Sequence, residues 1–318
     1  MRILKSDSTK TNMRILITGA SGMVGKNFCE HPANSQFELL TPSKNELDLL
    51  DFSKVSQFIA RYRPQVIIHA AGLVGGIQAN IREPVRFLME NLDMGRNVVW
   101  AAHQAGVKRL INLACACIYP RFGENPLQEE SILTGELEPT NEGYALAKIT
   151  IAKLCTYINR EDPSYQYKTL IPCNLYGKYD NFNPAYSHLI PAILLKLHQA
   201  KINGETVVEI WGDGEARREF MYVGDLADCI VQAIQHLDTL PDIMNVGMGF
   251  DTSINECYQI AAQVVGYPGT FSHNLSKPSG MKQKLLDSSK CSFWDWQASI
   301  SLKEGLAKTY NFYLQQHK

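Results

Sequence analysis

Met13-Arg-Ile-Leu-Ile-Thr-Gly19-Ala-Ser-Gly22-Met-Val-Gly25 sets the reading of the whole chain. Arg14 to Thr18 is a continuous run rich in β-branched and apolar residues, the pattern of a strand buried on both faces of a parallel sheet. Gly19, Gly22 and Gly25 follow it and open a helix-like stretch. Spacing alone says little, because glycine is common. Its place between a strand and a helix gives it meaning. The first glycine permits a tight turn, the second lets the backbone approach a pyrophosphate, and the third lets helix and strand pack closely. The phosphate charge then rests on the helix N-terminus. A dinucleotide is therefore expected here.

Working outward, short apolar runs alternate with amphipathic stretches, as in βαβ units. Strands are predicted over 37–40, 66–69 and 109–113, with the clearest helix from Pro84 to Ala105. Further strands are predicted over 167–172, 207–211 and 243–246. Helices are predicted over 142–159, 190–199, 225–237, 254–265 and 302–315. The stretch from Tyr176 to Ser187 is rich in Gly, Pro, Asn and Tyr and reads as a long ordered loop of the functional kind. Met1-Arg-Ile-Leu repeats at Met13-Arg-Ile-Leu, and residues 1–12 read as a disordered leader.

The fold class is thus α/β: a doubly wound parallel (Rossmann) sheet with a second, smaller α/β substrate-binding domain. The first is expected to hold 13–179 plus about 221–249. The second is expected to hold 180–220 plus about 250–318.

Composition narrows the function. The chain has 318 residues, 45% of them hydrophobic, and a formal net charge of -1. Such a balance offers no field for nucleic acid or a membrane surface. No apolar run approaches the roughly 20 residues of a membrane helix, and no signal-peptide pattern is seen. A cytoplasmic enzyme is expected. The eight cysteines show no CxxC pair and read as reduced thiols, mostly in the core. Cys115 and Cys117 form a C-x-C without a neighbouring ligand, so no metal is expected.

The end of the second strand selects the cofactor. An acid there would hold the ribose of NAD. The chain reads Leu40-Thr-Pro-Ser43-Lys44-Asn, with no acid before Glu46. Ser43 and Lys44 suit a 2′-phosphate, so NADP is the expected cofactor.

Tyr144-Ala-Leu-Ala-Lys148 lies at the start of a predicted helix after the fourth strand. Residues four apart share a helical face. An ammonium there is expected to lower the phenol pKa, letting tyrosine pass a proton to a carbonyl oxygen while hydride moves at carbon.

Several specific elements then occur in order: His69-Ala-Ala-Gly-Leu-Val-Gly-Gly-Ile77, Cys117-Ile-Tyr-Pro120, Asn174-Leu-Tyr-Gly177, Asp180-Asn-Phe-Asn183, His188-Leu-Ile-Pro191 and Trp211-Gly-Asp-Gly through Arg218-Glu-Phe220. Together with the glycine and Tyr/Lys motifs, the chain from Met13 onward resembles the GDP-L-fucose synthase family of extended short-chain dehydrogenases. That family carries out 3,5-epimerisation and C4 reduction of a GDP-linked 4-keto-6-deoxy sugar, in homodimers packed through two helices per subunit. Here those helices would be 84–105 and 142–159.

The resemblance implies roles residue by residue. Tyr144 and Lys148 match the general acid and its partner. Cys117 and His188 match the pair that moves protons at C3 and C5, carbons acidified by the 4-keto group. Gly19, Ser21, Gly22, Met23, Val24, Gly25, Lys44, Ala70, Ala71, Lys148, Pro172, Asn174, Leu175 and His188 match the cofactor contacts. Lys196, Trp211, Arg218 and Lys284 match positions that hold GDP, with Asn174 in the substrate pocket. Taken singly, Cys117, His188 and Trp211 also read as ordinary core residues, and Lys44 and Lys196 as solvated lysines.

One position departs from the pattern. The serine that helps tyrosine bind the keto oxygen aligns with Cys115, and Ala114-Cys-Ala-Cys117 holds no hydroxyl. A thiol donates more weakly. Cys115 is expected to act as a poorer substitute. A C4-reductase of a GDP-4-keto-6-deoxy-heptose, or of another nucleotide-linked 4-keto sugar, is the alternative substrate reading. Lys44 speaks against an NAD-holding 4-epimerase or dehydratase. The intact Tyr/Lys pair speaks against a silent regulatory Rossmann protein.

Overall fold

The computed structural model describes residues 13–277 and 281–317. The expected leader, residues 1–12, lies outside them. The strands are β1 (Arg14–Thr18), β2 (Glu38–Leu40), β3 (Val66–His69), β4 (Arg109–Leu113), β5 (Gln166–Pro172), β6 (Asn174–Tyr176), β7 (Val207–Trp211), β8 (Arg217–Arg218), β9 (Phe220–Tyr222), β10 (Ile243–Val246), β11 (Thr252–Ser253), β12 (Thr270–Asn274) and β13 (Gln283–Lys284). The helices are α1 (Met23–Glu30), α2 (Phe52–Tyr62), α3 (Ile77–Arg82), α4 (Pro84–Gln104), α5 (Glu142–Glu161), α6 (Leu189–Asn203), α7 (Val223–Gln235), α8 (Ile254–Val265) and α9 (Leu302–Gln316).

Six strands form one parallel sheet in the order β10-β5-β4-β3-β1-β2. Their interiors are sealed on both faces. Ile15, Leu16, Ile17, Val66, Ile67, Leu110 and Ile111 are fully buried, as continuous apolar strands require. One apolar cluster joins β1, β3, β4 and β5 to α7, and a second, on the opposite face, joins the same sheet to α2, α4 and α5. The direction of winding reverses between β1 and β3. Such switch points leave a crevice at the carboxyl ends of the strands.

A third cluster gathers α6, α8 and α9 over β7 and β9. A small sheet beside it has the order β11-β8-β13. Its three strands come from distant parts of the chain and hold only two residues each. Among the described residues no helix is long and apolar enough to cross a membrane.

Candidate active site

Glycines shape the cofactor end. Gly19 has a φ of +74°, and a Cβ there would lie 2.7 Å from the Ala71 backbone. A Cβ on Gly25 would run into the Gly19 carbonyl and the Ala20 backbone. Only hydrogen fits at either place, so β1, α1 and the turn after β3 pack against one another. Ser21 and Gly22 are exposed at the mouth of this turn, and Met23 and Val24 begin α1. The first turn of α1 holds no acid, so its free N–H groups suit a pyrophosphate. Ala70 and Ala71 lie opposite, at the end of β3, and Pro172 closes β5 before Asn174 and Leu175.

Lys44 is exposed after β2. The Ser43 hydroxyl donates to the Glu46 carboxylate at 2.9 Å, so Glu46 folds back onto the residue expected to meet a 2′-phosphate. The cation remains; the serine already has a partner.

The chemistry-bearing side chains gather where β4 ends and α5 begins. The buried Lys148 donates to the Leu113 carbonyl at 2.9 Å. Its Nζ stands 5.7 Å from the centre of the Tyr144 ring. Burial pulls the Lys148 pKa down to about 8. Burial also pushes the Tyr144 phenol above its ordinary range. This corrects the expectation that the ammonium lowers the phenol: Lys148 donates to a backbone carbonyl, and loss of water sets the direction at the phenol. His69, at the end of β3, shares a 2.8 Å hydrogen bond with the Thr18 hydroxyl. Burial and Lys148 push its pKa down to about 3, so it stays neutral.

Cys115 and Cys117 lie on the turn just after β4, their Cα atoms 5.4 Å apart and their sulfurs joined in a disulfide. The expectation of reduced thiols is corrected for this pair. The chain turns through a short 3-10 segment, Ala116–Ile118, with Cys115 extended at its N-terminal cap and Cys117 inside it. The other six cysteines are free, five of them buried. As a disulfide, Cys115 carries no S–H to donate, so the expected substitute for serine is disabled in this state.

His188 occupies the N-cap position of α6 and is exposed. The surrounding protein holds its pKa below the usual imidazole value by desolvation. A glycine-rich loop brings it toward the Tyr/Lys end. A Cβ on Gly72 would stand 3.6 Å from the Lys148 Nζ, and one on Gly76 would stand 2.7 Å from the Ser187 carbonyl. The Gly76 N–H donates to the Tyr186 carbonyl at 3.1 Å. Asn91 pins the loop from α4, accepting from Leu73 N–H at 2.9 Å and donating to its carbonyl at 3.1 Å.

The cations form a separate group. Arg218 and Lys284 are paired in register between β8 and β13. Burial, then Arg218, pulls the Lys284 pKa down to about 8, and Glu138 opposes this. Burial likewise lowers that of Arg218. Trp211 ends β7 with 47% of its surface exposed, and Lys196 on α6 donates to the Glu209 carbonyl of the same strand. The site thus has a glycine cradle, a Tyr/Lys/Cys centre and a cationic end. A pocket of about 170 Å³ adjoins Tyr144, lined by Phe87, Pro139, Thr140 and Asn141.

Two buried carboxylates escaped the sequence reading. Glu138 lies beside Arg218 and Lys284 and accepts from Thr140 just before α5. Glu219 accepts from the N–H groups of Met248, Gly249 and Leu286, and burial pushes its pKa up to about 7. The only signal for Glu219 was an acid directly before the apolar run Phe220-Met-Tyr-Val223.

The profile of the NAD dependent epimerase/dehydratase family matches residues 15–247. A protein named GDP-L-colitose synthase from Yersinia pseudotuberculosis is 52% identical over 304 residues, covering 96% of this chain and 99% of the relative. A GDP-L-fucose synthase from Azorhizobium caulinodans is 46% identical over 301 residues, covering 95% and 96%. A GDP-mannoheptose C4 reductase from Campylobacter jejuni, solved with NADP bound, superposes with a TM-score of 0.87 at 31% identity, covering 96% of this chain and all of that one.

Proposed function

The chain belongs to the NAD-dependent epimerase/dehydratase family, and from that premise we propose that it is a GDP-L-fucose synthase-like enzyme. It epimerises GDP-4-keto-6-deoxy-D-mannose at C3 and C5 and reduces C4 with NADPH. The observation that carries this reading is the meeting of Tyr144, Lys148, Cys115 and Cys117 at the junction of β4 and α5, beside the glycine cradle of β1 and α1.

When bound, NADPH supplies the hydride for C4. The α1 N-terminus and the bare glycines receive its pyrophosphate, and Lys44 its 2′-phosphate. Tyr144, kept protonated by burial, donates its proton to the C4 oxygen as charge develops there. Lys148 and His69 back this centre, the lysine cationic at neutral pH and the histidine neutral. Cys117 as a thiol, and His188 as a neutral base, take and return the protons at C3 and C5. Arg218, Lys284 and Lys196 hold the diphosphate of GDP, and Trp211 offers a face for stacking. Asn174 completes the sugar pocket.

The dinucleotide-binding part comprises 13–179 plus about 221–249. The remainder, 180–220 plus about 250–318, holds the nucleotide sugar. The protein is a homodimer through α4 and α5. Val85, Met89, Trp100, Leu146 and Tyr157 on these helices are exposed large apolar residues. The enzyme works in the cytoplasm.

A second reading is favoured by the Yersinia relative: the product is GDP-L-colitose. Colitose is 3-deoxyfucose, so only C5 would be inverted. One experiment decides. The reduced protein is mixed with NADPH and either GDP-4-keto-6-deoxy-D-mannose or its 3-deoxy counterpart, and the product is solved by NMR. GDP-L-fucose from the first supports the main reading. Turnover of the 3-deoxy sugar alone supports the second. Reduction without inversion on either would make the enzyme a simple C4-reductase and would sink both.

A further inference from the structure

We propose that Cys115 and Cys117 are a thiol modification site: a peroxide oxidises them to an intramolecular disulfide that silences the enzyme, and a dithiol restores it. The inference rests on the reading of Cys117 as a proton carrier and of Cys115 as a donor to the keto oxygen.

Geometry makes the pair ready. The two Cα atoms stand 5.4 Å apart, inside the range that disulfides span. Cys115 is partly exposed and Cys117 is buried behind it. An oxidant therefore meets Cys115 first, and Cys117 is placed to resolve it. The remaining thiols are poor competitors, because only a thiolate attacks peroxide. Burial raises Cys29 to about 11 and Cys155, Cys257 and Cys291 to about 12. It lifts Cys173 and Cys229 well above the ordinary thiol value.

The steps balance. The Cys115 thiolate attacks one peroxide oxygen, the O–O bond breaks, and the departing oxygen leaves as water after taking a proton. Cys115 is then a sulfenic acid. The Cys117 sulfur attacks it, the S–O bond breaks, and the second oxygen leaves as water with the Cys117 proton. Two thiols lose two electrons and two protons, and peroxide becomes two waters.

The bond does little for the fold. It closes a loop with a single residue between the cysteines, and short loops remove little entropy from the unfolded chain. Its effect falls on chemistry instead. Neither sulfur of a disulfide carries a proton, so epimerisation loses its thiol and the keto oxygen loses a donor together. Other oxyanion donors, when deleted, cost roughly 10²- to 10³-fold in turnover.

The test uses the whole protein, reduced and then treated with hydrogen peroxide. Two readouts are taken: NADPH oxidation with the keto sugar, and the mass of the tryptic peptide Leu110–Arg121. The expected result is a peptide lighter by two hydrogens, a loss of roughly 10²-fold or more in activity, and recovery of both with dithiothreitol. Cys115→Ser and Cys115→Ala, each compared only with its own untreated sample, should show no recoverable loss. Full activity in a sample whose peptide is wholly oxidised overturns the proposal. So does a peptide that stays reduced, or a loss that dithiothreitol cannot reverse. If the reduced enzyme turns over neither sugar, the functional reading fails, and the peptide mass still decides whether the pair oxidises.

Discussion

Tyr144 and Lys148 carry opposite consequences of one cause. Burial raises the phenol and lowers the ammonium, so near neutral pH the tyrosine keeps its proton and the lysine is still charged. Tyr144→Phe should therefore cut turnover by roughly 10²- to 10⁴-fold while NADPH still binds, read by NADPH absorbance and by cofactor fluorescence. Lys148 also makes stability depend on pH. Its folded pKa, about 8, lies below the unfolded 10.5. Between those values the unfolded chain holds more protons, so this contribution rises with pH there and is fully lost below about 8. Lys148→Met removes the term. The stability of the variant relative to wild type should then fall by an amount on the order of a few kcal/mol from neutral pH to about pH 10, measured by urea melts. A constant difference would mean that Lys148 pays no burial penalty.

At the scale of elements, the tightest joint is β1–α1. Gly25→Ala places a methyl against the Gly19 carbonyl and the Ala20 backbone. It should lower stability by about 1–3 kcal/mol and weaken NADPH binding at least ~10-fold, by calorimetry and fluorescence titration. Gly106→Ala is the control: φ is +71° with nothing within 4 Å of the new methyl, so only about 1 kcal/mol of backbone strain is expected and no change in binding. This joint was readable in the sequence because its cause is local, a strand, three glycines and a helix in sequence order. The long helices and the strands of the main sheet were readable for the same reason, through their apolar periods. The two-residue strands β8, β11 and β13 are too short to carry a period, so their sheet could not be foreseen. The site divides in the same way. Tyr144, Lys148 and Cys117 could be named from motifs. The Arg218–Lys284 register and the Glu138 carboxylate beside that pair depend on contacts across the fold, whereas the Cys115–Cys117 bond is local and depends on the shape of the turn after β4, which the C-x-C spacing alone does not reveal.

Across the whole molecule, the cations proposed to hold the diphosphate and the Tyr144–Lys148 pair sit on different elements. Arg218 and Lys284 lie on the small sheet, and Glu138, just before α5, stands beside them. Lys284→Ala should therefore raise KM for the nucleotide sugar roughly 10- to 100-fold with a smaller change in kcat, in steady-state assays. If kcat fell as much as kcat/KM, the lysine would belong to the reacting centre instead. The proposed dimer packs through α4 and α5, and α5 is the helix that carries Tyr144 and Lys148. Trp100→Glu combined with Leu146→Glu should shift the protein from dimer to monomer in light scattering. The small sheet has one more implication, in time rather than space. On the ribosome the six-stranded sheet has all its strands once Val246 has emerged, whereas β8 must wait for Gln283 and Lys284. A nascent chain paused between these points would have its cofactor cradle but no diphosphate anchor. On the proposed roles it would bind dinucleotide, and sugar turnover would have to wait until Gln283 and Lys284 had emerged.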